Sequence, residues 1–206
     1  MIEPGDAAPD FSLPAVHREG TVSLSDYRGR SPVLLALFRG FYCPFCRRQM
    51  GLLAAATDKL KDQGLEVLGV AAADPARARL YFDARRLRLP MAADPALTTY
   101  RAYGLGQMAR TPEAGEMIDV AATRWLRQLS IPFTTGDART ALDQSDGFSA
   151  ADSDRADRER HQIQMTGQFL VDADGIVRWC HIEDRDGYAT FPDEKMLLSL
   201  AARMTR

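Results

Sequence analysis

Cys43 and Cys46 are separated only by Pro44 and Phe45, and these four residues carry the most chemistry in the chain. A second sulfur three positions along can close on the first with little backbone movement, so the pair can cycle between dithiol and disulfide. The same spacing also fits half of a zinc site or two thiols packed in a core. The elements that must position the pair favour redox chemistry. Upstream, Val33-Leu34-Leu35-Ala36-Leu37-Phe38 is an apolar run too short to span a membrane, and reads as a strand buried on both faces. Downstream, Cys46, Met50, Leu53, Ala54, Thr57 and Leu60 recur at helical spacing until Gly64 supplies a stop. Pro44 suits the first helical position, since the N–H it lacks would be unpaired there, and this makes Cys43 the N-cap. Unpaired N–H groups and the positive end of the helix dipole favour an anion, so Cys43 should ionise more readily than a free cysteine. Its sulfur is expected to face solvent, with Cys46 inside the first turn as the resolving thiol.

Other side chains near the motif invite roles. Arg39, Arg47 and Arg48 flank it, and any of them could stabilise a thiolate or a peroxide oxygen; on a solvated helix face they would do neither. Arg39 is favoured because it lies in the turn leading into the cysteines. Phe41, Tyr42 and Phe45 could form an apolar rim for a partner protein or organic substrate, with core packing an equal alternative for Phe41. Cys180 and His181 occupy one strand, where alternation lets only one point to the core, and a buried Cys180 reads as inert packing. A rival reading is a zinc-binding module built from Cys43, Cys46, Cys180 and His181. His17 and His161 lie in polar stretches and read as surface positions.

The chain of 206 residues suits one large domain, residues 1–206, and a hydrophobic content of 46% can bury a core. A formal charge of -2 and a pI near 5.9, with no basic stripe, argue against nucleic acid or a membrane surface as partner. No signal peptide or apolar span is visible, so the default compartment is the cytoplasm. Three cysteines, an odd and sparse set, argue against a structural disulfide framework.

In order along the chain, Phe11–Leu13 and Thr21–Leu24 read as a short hairpin, and Leu65–Ala73 as a strand parallel to the first buried run. Asp74-Pro75 caps a helix reaching about Leu87, Leu89–Ala92 is a short strand, and Asp94-Pro95 caps a helix over Ala96–Tyr103. Gln168–Asp172 and Ile176–Ile182 flank an Asp-Gly turn, and a last helix runs from about Pro192 to Arg203. Between Leu105 and Met165, Thr111-Pro112 opens a helix with the apolar stripe Met117, Ile118, Ala121, Ala122, Trp125, Leu126 and Leu129. Asp137–His161 is then polar, with seven acidic residues and four arginines, and reads as a solvated loop with one covering helix. The alternative is a lid or partner surface near the cysteines. With so few apolar anchors, this stretch should tolerate shortening.

Taken together, Gly5-Asp6-x-Ala8-Pro9-Asp10-Phe11, Leu24-Ser25-Asp26-Tyr27-Arg28-Gly29, the strand with its cysteine motif, Asp94-Pro95 with Tyr103-Gly104, and Phe169-Leu170-Val171-Asp172 with Gly175 resemble the peroxiredoxin family of the alkyl hydroperoxide reductase and thiol-specific antioxidant (AhpC/TSA) type. The resemblance runs from residue 5 to about 183 and leaves 105–165 as a family-atypical insertion. It implies an α/β thioredoxin fold, a central mixed β-sheet flanked by helices, with an N-terminal β-hairpin. It also implies an antioxidant enzyme that reduces peroxides or protein disulfides, takes electrons from a thioredoxin- or glutathione-type donor, and needs no cofactor or metal. The resemblance leaves room for a homodimer. A further rival reading is a redoxin-fold scaffold without turnover that acts through residues 105–165 as an interaction module. The family's active-site proline, threonine and peroxide-attacking cysteine fall on Arg39, Cys43 and Cys46. Its late arginine falls on Thr166, which enters the candidate substrate site with Arg39, Tyr42 and Phe45, and the thioredoxin cis-proline falls on Gly167. Cys-Pro-Phe-Cys itself is similar to the glutaredoxin dithiol. Two assignments of the attacking sulfur therefore stand side by side: Cys43 toward disulfides and Cys46 toward peroxide.

Overall fold

The computed structural model describes residues 1–134 and 138–204. Strands β1 (Ser12–Pro14) and β2 (Thr21–Ser23) pair antiparallel as the expected N-terminal hairpin, with Leu13 opposite Val22, and a 3-10 turn over Leu24–Asp26 follows. Strand β3 (Val33–Phe38), helix α1 (Pro44–Asp62) and strand β4 (Glu66–Ala71) then form the unit that carries the cysteines. All six residues of β3 are buried, as a strand with packed layers on both faces requires. Helix α2 (Pro75–Arg85), strand β5 (Met91–Ala93) and the short helix α3 (Thr98–Ala102) follow.

The next elements are strand β6 (Gln107–Met108), helices α4 (Pro112–Gln128), α5 (Ala138–Ser145) and α6 (Asp152–Arg160), and strand β7 (Ile163–Gln164). Strands β8 (Gly167–Val171) and β9 (Val177–Ile182), a short helix α7 (Glu183–Asp186) and helix α8 (Glu194–Met204) complete the described chain.

The central sheet has the order β5-β4-β3-β8-β9 and is mixed. Strand β3 runs parallel to β4, with Leu35 beside Leu68, and antiparallel to β8, with Leu35 beside Phe169. Each face of the sheet has its own core. Leu34, Ala36 and Phe38 look toward Met50, Leu53 and Leu60 of α1 and Leu197 of α8. Leu35 and Leu37 look the other way, toward the hairpin and Tyr100 and Tyr103. Sheet order therefore places α1, and the cysteines at its N-terminus, against the middle of the sheet.

Several boundaries differ from expectation for local reasons. Arg86 adopts a left-handed conformation (φ 51°) that ends α2 just before Leu87. Asp94 caps α3 from a distance: its carboxylate accepts from the Thr99 amide at 2.7 Å and from the Thr98 hydroxyl at 3.1 Å, and Leu97 at φ 59° turns the chain in between. The helix therefore starts at Thr98 and not at Ala96.

The largest difference lies in 137–161, where Asp137 itself falls outside the described residues. Two helices stand where a loop with one helix was expected, and β6 pairs antiparallel with β7 so that the two ends of the 105–165 stretch meet. Charge fastens this stretch more than apolar bulk does. The buried guanidinium of Arg47 binds Asp143 at 2.6 Å and Asp146 at 2.8 Å and lies 3.9 Å from the centre of the Phe148 ring. Arg77 donates to both oxygens of the buried Asp154 carboxylate, at 2.6 to 3.1 Å. Leu142 adds one fully buried apolar anchor. Ion pairs of this kind lose several kcal/mol when one partner is removed, roughly 3–5 when fully buried, so the segment is held more firmly than its polarity suggests. His161, expected at the surface, is buried with its Nε2 3.1 Å from the Pro95 carbonyl oxygen.

Candidate redox site

Cys43 occupies the N-cap of α1 in extended conformation (φ -93°, ψ 110°), with Pro44 at the first helical position. Cap geometry dictates this much locally; the surroundings come from elsewhere in the chain. Cys43 is only 4% exposed and Cys46 fully buried, which corrects the expectation of an outer sulfur in open solvent. Cys43 instead opens into a cavity of about 340 Å³, walled partly by Arg39, Tyr42 and Pro44, whereas Cys46 is not among its lining residues.

Burial by itself would suppress ionisation of Cys43. The hydrogen bond from the Cys46 thiol and the charge of Arg39 outweigh it and bring the Cys43 thiol down to about 7. Cys46 moves the opposite way, because burial comes first and the adjacent Cys43 sulfur adds to it, so it keeps its proton. The pair is thus polarised into one readily ionised sulfur facing the cavity and one that keeps its proton behind it. Disulfide exchange needs this division between an attacking and a resolving sulfur.

Arg39 sits just past the end of β3, and its guanidinium is buried. Nη1 donates to the Cys43 sulfur at 3.5 Å and to the Tyr188 hydroxyl at 2.8 Å, Nε donates to the Gln164 carbonyl at 2.5 Å, and Nη2 pairs with Glu183. Glu183 is buried too, and its carboxylate also accepts from the amide and hydroxyl of Thr166, at 3.1 and 3.2 Å, and from the Ala189 amide at 2.8 Å. Thr166 therefore reaches the cysteines only through Glu183 and Arg39 and does not line the cavity. At position 166 the chain presents a hydroxyl to Glu183, and the guanidinium beside Cys43 comes from Arg39 at the end of β3.

Phe45 does not form a rim: it is buried against Tyr188, edge to face at 6.1 Å, and Trp125 at 5.9 Å. Phe41 is also in the core, stacked on Tyr81 at 4.2 Å. Of the three aromatic residues only Tyr42 is half-exposed and lines the cavity. Arg47 and Arg48 serve α5, Arg47 through Asp143 and Arg48 through the Leu142 carbonyl at 3.4 Å. Cys180 packs in the core of the opposite sheet face, away from Cys43 and Cys46, and no group of three or more His, Cys, Asp or Glu side chains arranged to hold a metal occurs among the described residues.

Glu183 and Tyr188 were not singled out from the sequence. The one available signal is weak: Glu183 follows the buried Ile182 at a strand end, where an acid needs a partner.

A cysteine pair at the head of a helix packed on this mixed sheet defines an oxidoreductase of the peroxiredoxin-like, thioredoxin-fold type. A model of the AhpC/TSA family matches residues 4–180, and the chain belongs to that family. A protein of Mycobacterium tuberculosis H37Rv named as a candidate peroxiredoxin is 34% identical over 110 residues, covering 52% of this chain and 69% of its own length. The thiol-disulfide oxidoreductase ResA of Halalkalibacterium halodurans is 30% identical over 124 residues, covering 58% and 69% respectively. The reduced 2-Cys peroxiredoxin of Plasmodium vivax superposes over 96% of this chain and 79% of its own, with a TM-score of 0.62 at 15% identity, a likeness of fold alone. No helix among the described residues is long and apolar enough to cross a membrane.

Proposed function

We propose that the Cys43-Pro44-Phe45-Cys46 dithiol reduces disulfide or peroxide bonds, with Cys43 attacking and Cys46 resolving. The observation that carries this reading is the polarisation of the pair: Cys43 lines the cavity beside Arg39 with its thiol lowered to about 7, and Cys46 lies buried behind it. With a disulfide, the Cys43 thiolate forms a bond to one substrate sulfur as the substrate S–S bond breaks and the other sulfur leaves. Cys46 then loses its proton and attacks the Cys43 sulfur, which forms the intramolecular disulfide and releases the second substrate thiol. With a hydroperoxide, the Cys43 thiolate takes the terminal oxygen as the O–O bond breaks, and the departing alkoxide takes a proton from solvent and leaves as alcohol. Cys46 then attacks the Cys43 sulfur and its proton goes to the displaced hydroxyl, which leaves as water. A thioredoxin- or glutathione-type donor returns two electrons and two protons.

This reading gives Cys43 both roles, in place of the division that assigned peroxide attack to Cys46. Tyr42 and Arg39 are the substrate-facing residues in it, Thr166 positions Arg39 through Glu183, and Phe45 packs the helix head. Residues 1–206 then act as one redoxin unit in which 105–165 supplies a wall of the site, and the sparse cysteines suit a cytoplasmic setting. Single serine variants decide the roles. Treated with peroxide and a sulfenic acid trap, Cys46→Ser should be trapped at Cys43, and Cys43→Ser should show no adduct at Cys46. Trapping at Cys46 alone would reverse the assignment. Stoichiometric zinc in protein purified without chelator, lost in Cys43→Ser, would replace it with a metal role.

A further inference from the structure

Among the described residues, the cavity in front of Cys43 carries more positive charge than its neighbours neutralise. Four arginines line it. Arg39 is paired with Glu183 and Arg139 with Asp119, and the acid on the wall, Asp143, is already bound to Arg47. Arg110 and Arg158 make no ion pair among the described residues. Both line the cavity, and the Arg110 Nη1 donates to the backbone carbonyl oxygen of Arg158 at 2.9 Å, which ties the segment after β6 to α6. Burial, and then the charge of Arg158, lower the proton affinity of the Arg110 guanidinium.

We propose that this cavity selects a small disulfide bearing carboxylates, which dock on Arg110 and Arg158 while one substrate sulfur faces Cys43. The inference rests on the dithiol reading above and adds the substrate class. Guanidinium groups offer paired donors that match a carboxylate in two-point fashion, so charge and shape both favour this class. The volume, about 340 Å³, is at the small-molecule end of binding sites and admits one arm of such a disulfide but not a folded protein. The covalent step is the exchange already written: Cys43 and Cys46 give two electrons, the substrate S–S bond breaks, and two carboxylate-bearing thiols leave.

The test compares three disulfides of different charge under identical conditions: glutathione disulfide (anionic), bis(2-hydroxyethyl) disulfide (neutral) and cystamine (cationic). The readout is the rate of mixed-disulfide formation on Cys43 in the Cys46→Ser protein, measured by mass spectrometry. At low ionic strength the anionic disulfide should react about tenfold faster than the neutral one, and the cationic one should be slowest. That advantage should shrink toward unity as salt is raised to roughly 1 M, which screens the field. In Arg110→Gln with Arg158→Gln, both exposed positions, the ratio of anionic to neutral rates should fall by a similar factor. Equal rates for the three disulfides, or a preference untouched by salt and by the double variant, would overturn the proposal and leave the dithiol reading standing. Failure of all three to modify Cys43 would overturn both.

Discussion

The Arg39 guanidinium touches the Cys43 sulfur at 3.5 Å through Nη1 and, through Nη2, is tied to Glu183, 144 residues further along the chain. One side chain thus joins the head of α1 to the end of β9, and its charge is held at a fixed distance from the sulfur. Removing this charge should act on reactivity more than on shape.

Arg39→Met is expected to raise the Cys43 thiol from about 7 by roughly one unit, which slows its alkylation at neutral pH by about fivefold. Because the reduced form loses stabilisation, the dithiol couple should become about 8 mV more reducing at about pH 7 and about 30 mV more reducing above about pH 9, where the thiol is fully ionised. Iodoacetamide kinetics with peptide mapping give the first quantity, and equilibration against a thiol buffer gives the second. Arg39→Lys, which keeps the charge, should recover part of both; no recovery would mean that the effect came from packing.

The pH dependence of the intact site follows from the sign of the Cys43 shift. The thiolate is the reactive form, so alkylation of Cys43 should be slow below pH 7, rise through about 7, and level off above about 8. Cys46, whose thiol moves upward, should stay unlabelled across that range in native protein. A single midpoint near the free-cysteine value, about 8.5, would show that Cys46 and Arg39 do not act on the Cys43 sulfur.

Thr166→Val removes a hydroxyl donor from Glu183 and leaves the Thr166 amide contact in place. A stability loss of about 1 kcal/mol in urea titration is expected, with an upward shift of the Cys43 midpoint smaller than in Arg39→Met. If Thr166→Val instead matched Arg39→Met in reactivity, Thr166 would be touching substrate and not merely holding Glu183.

Shortening within 138–160, which its composition invites, should be costly. Asp143→Asn with Asp146→Asn leaves the buried Arg47 guanidinium without a counter-charge, and a loss of about 2–3 kcal/mol is expected, discounted because both acids are partly exposed. Deleting residues 138–160 should lower the urea midpoint further and also speed reagent access to Cys43, since Arg139, Asp143 and Arg158 wall its cavity. An unchanged midpoint after deletion would restore the picture of a loosely attached loop.

Strand β3, helix α1, the N-cap at Cys43 and the proline behind it were legible from residues 33–64 because each depends on neighbours within a turn or two: burial period, cap chemistry and a missing N–H. The parallel pairing of β3 with β4 was legible for the same reason, since a strand-helix-strand unit of that length has few ways to pack. Which arginine meets the sulfur was not decided there. Arg39, Arg47 and Arg48 are equivalent to local rules, and only the fold sends Arg39 to Glu183 and Arg47 to Asp143 and Asp146. The polar stretch misled for a related reason: composition predicts solvation, but a charged side chain can be buried when a distant partner arrives, as at Asp154, and no sequence period records that partner. The closed setting of Cys43 likewise depends on β6 and β7 meeting across more than fifty residues, so the sequence determined where the two sulfurs sit on their helix, and tertiary packing decided which of them can be reached.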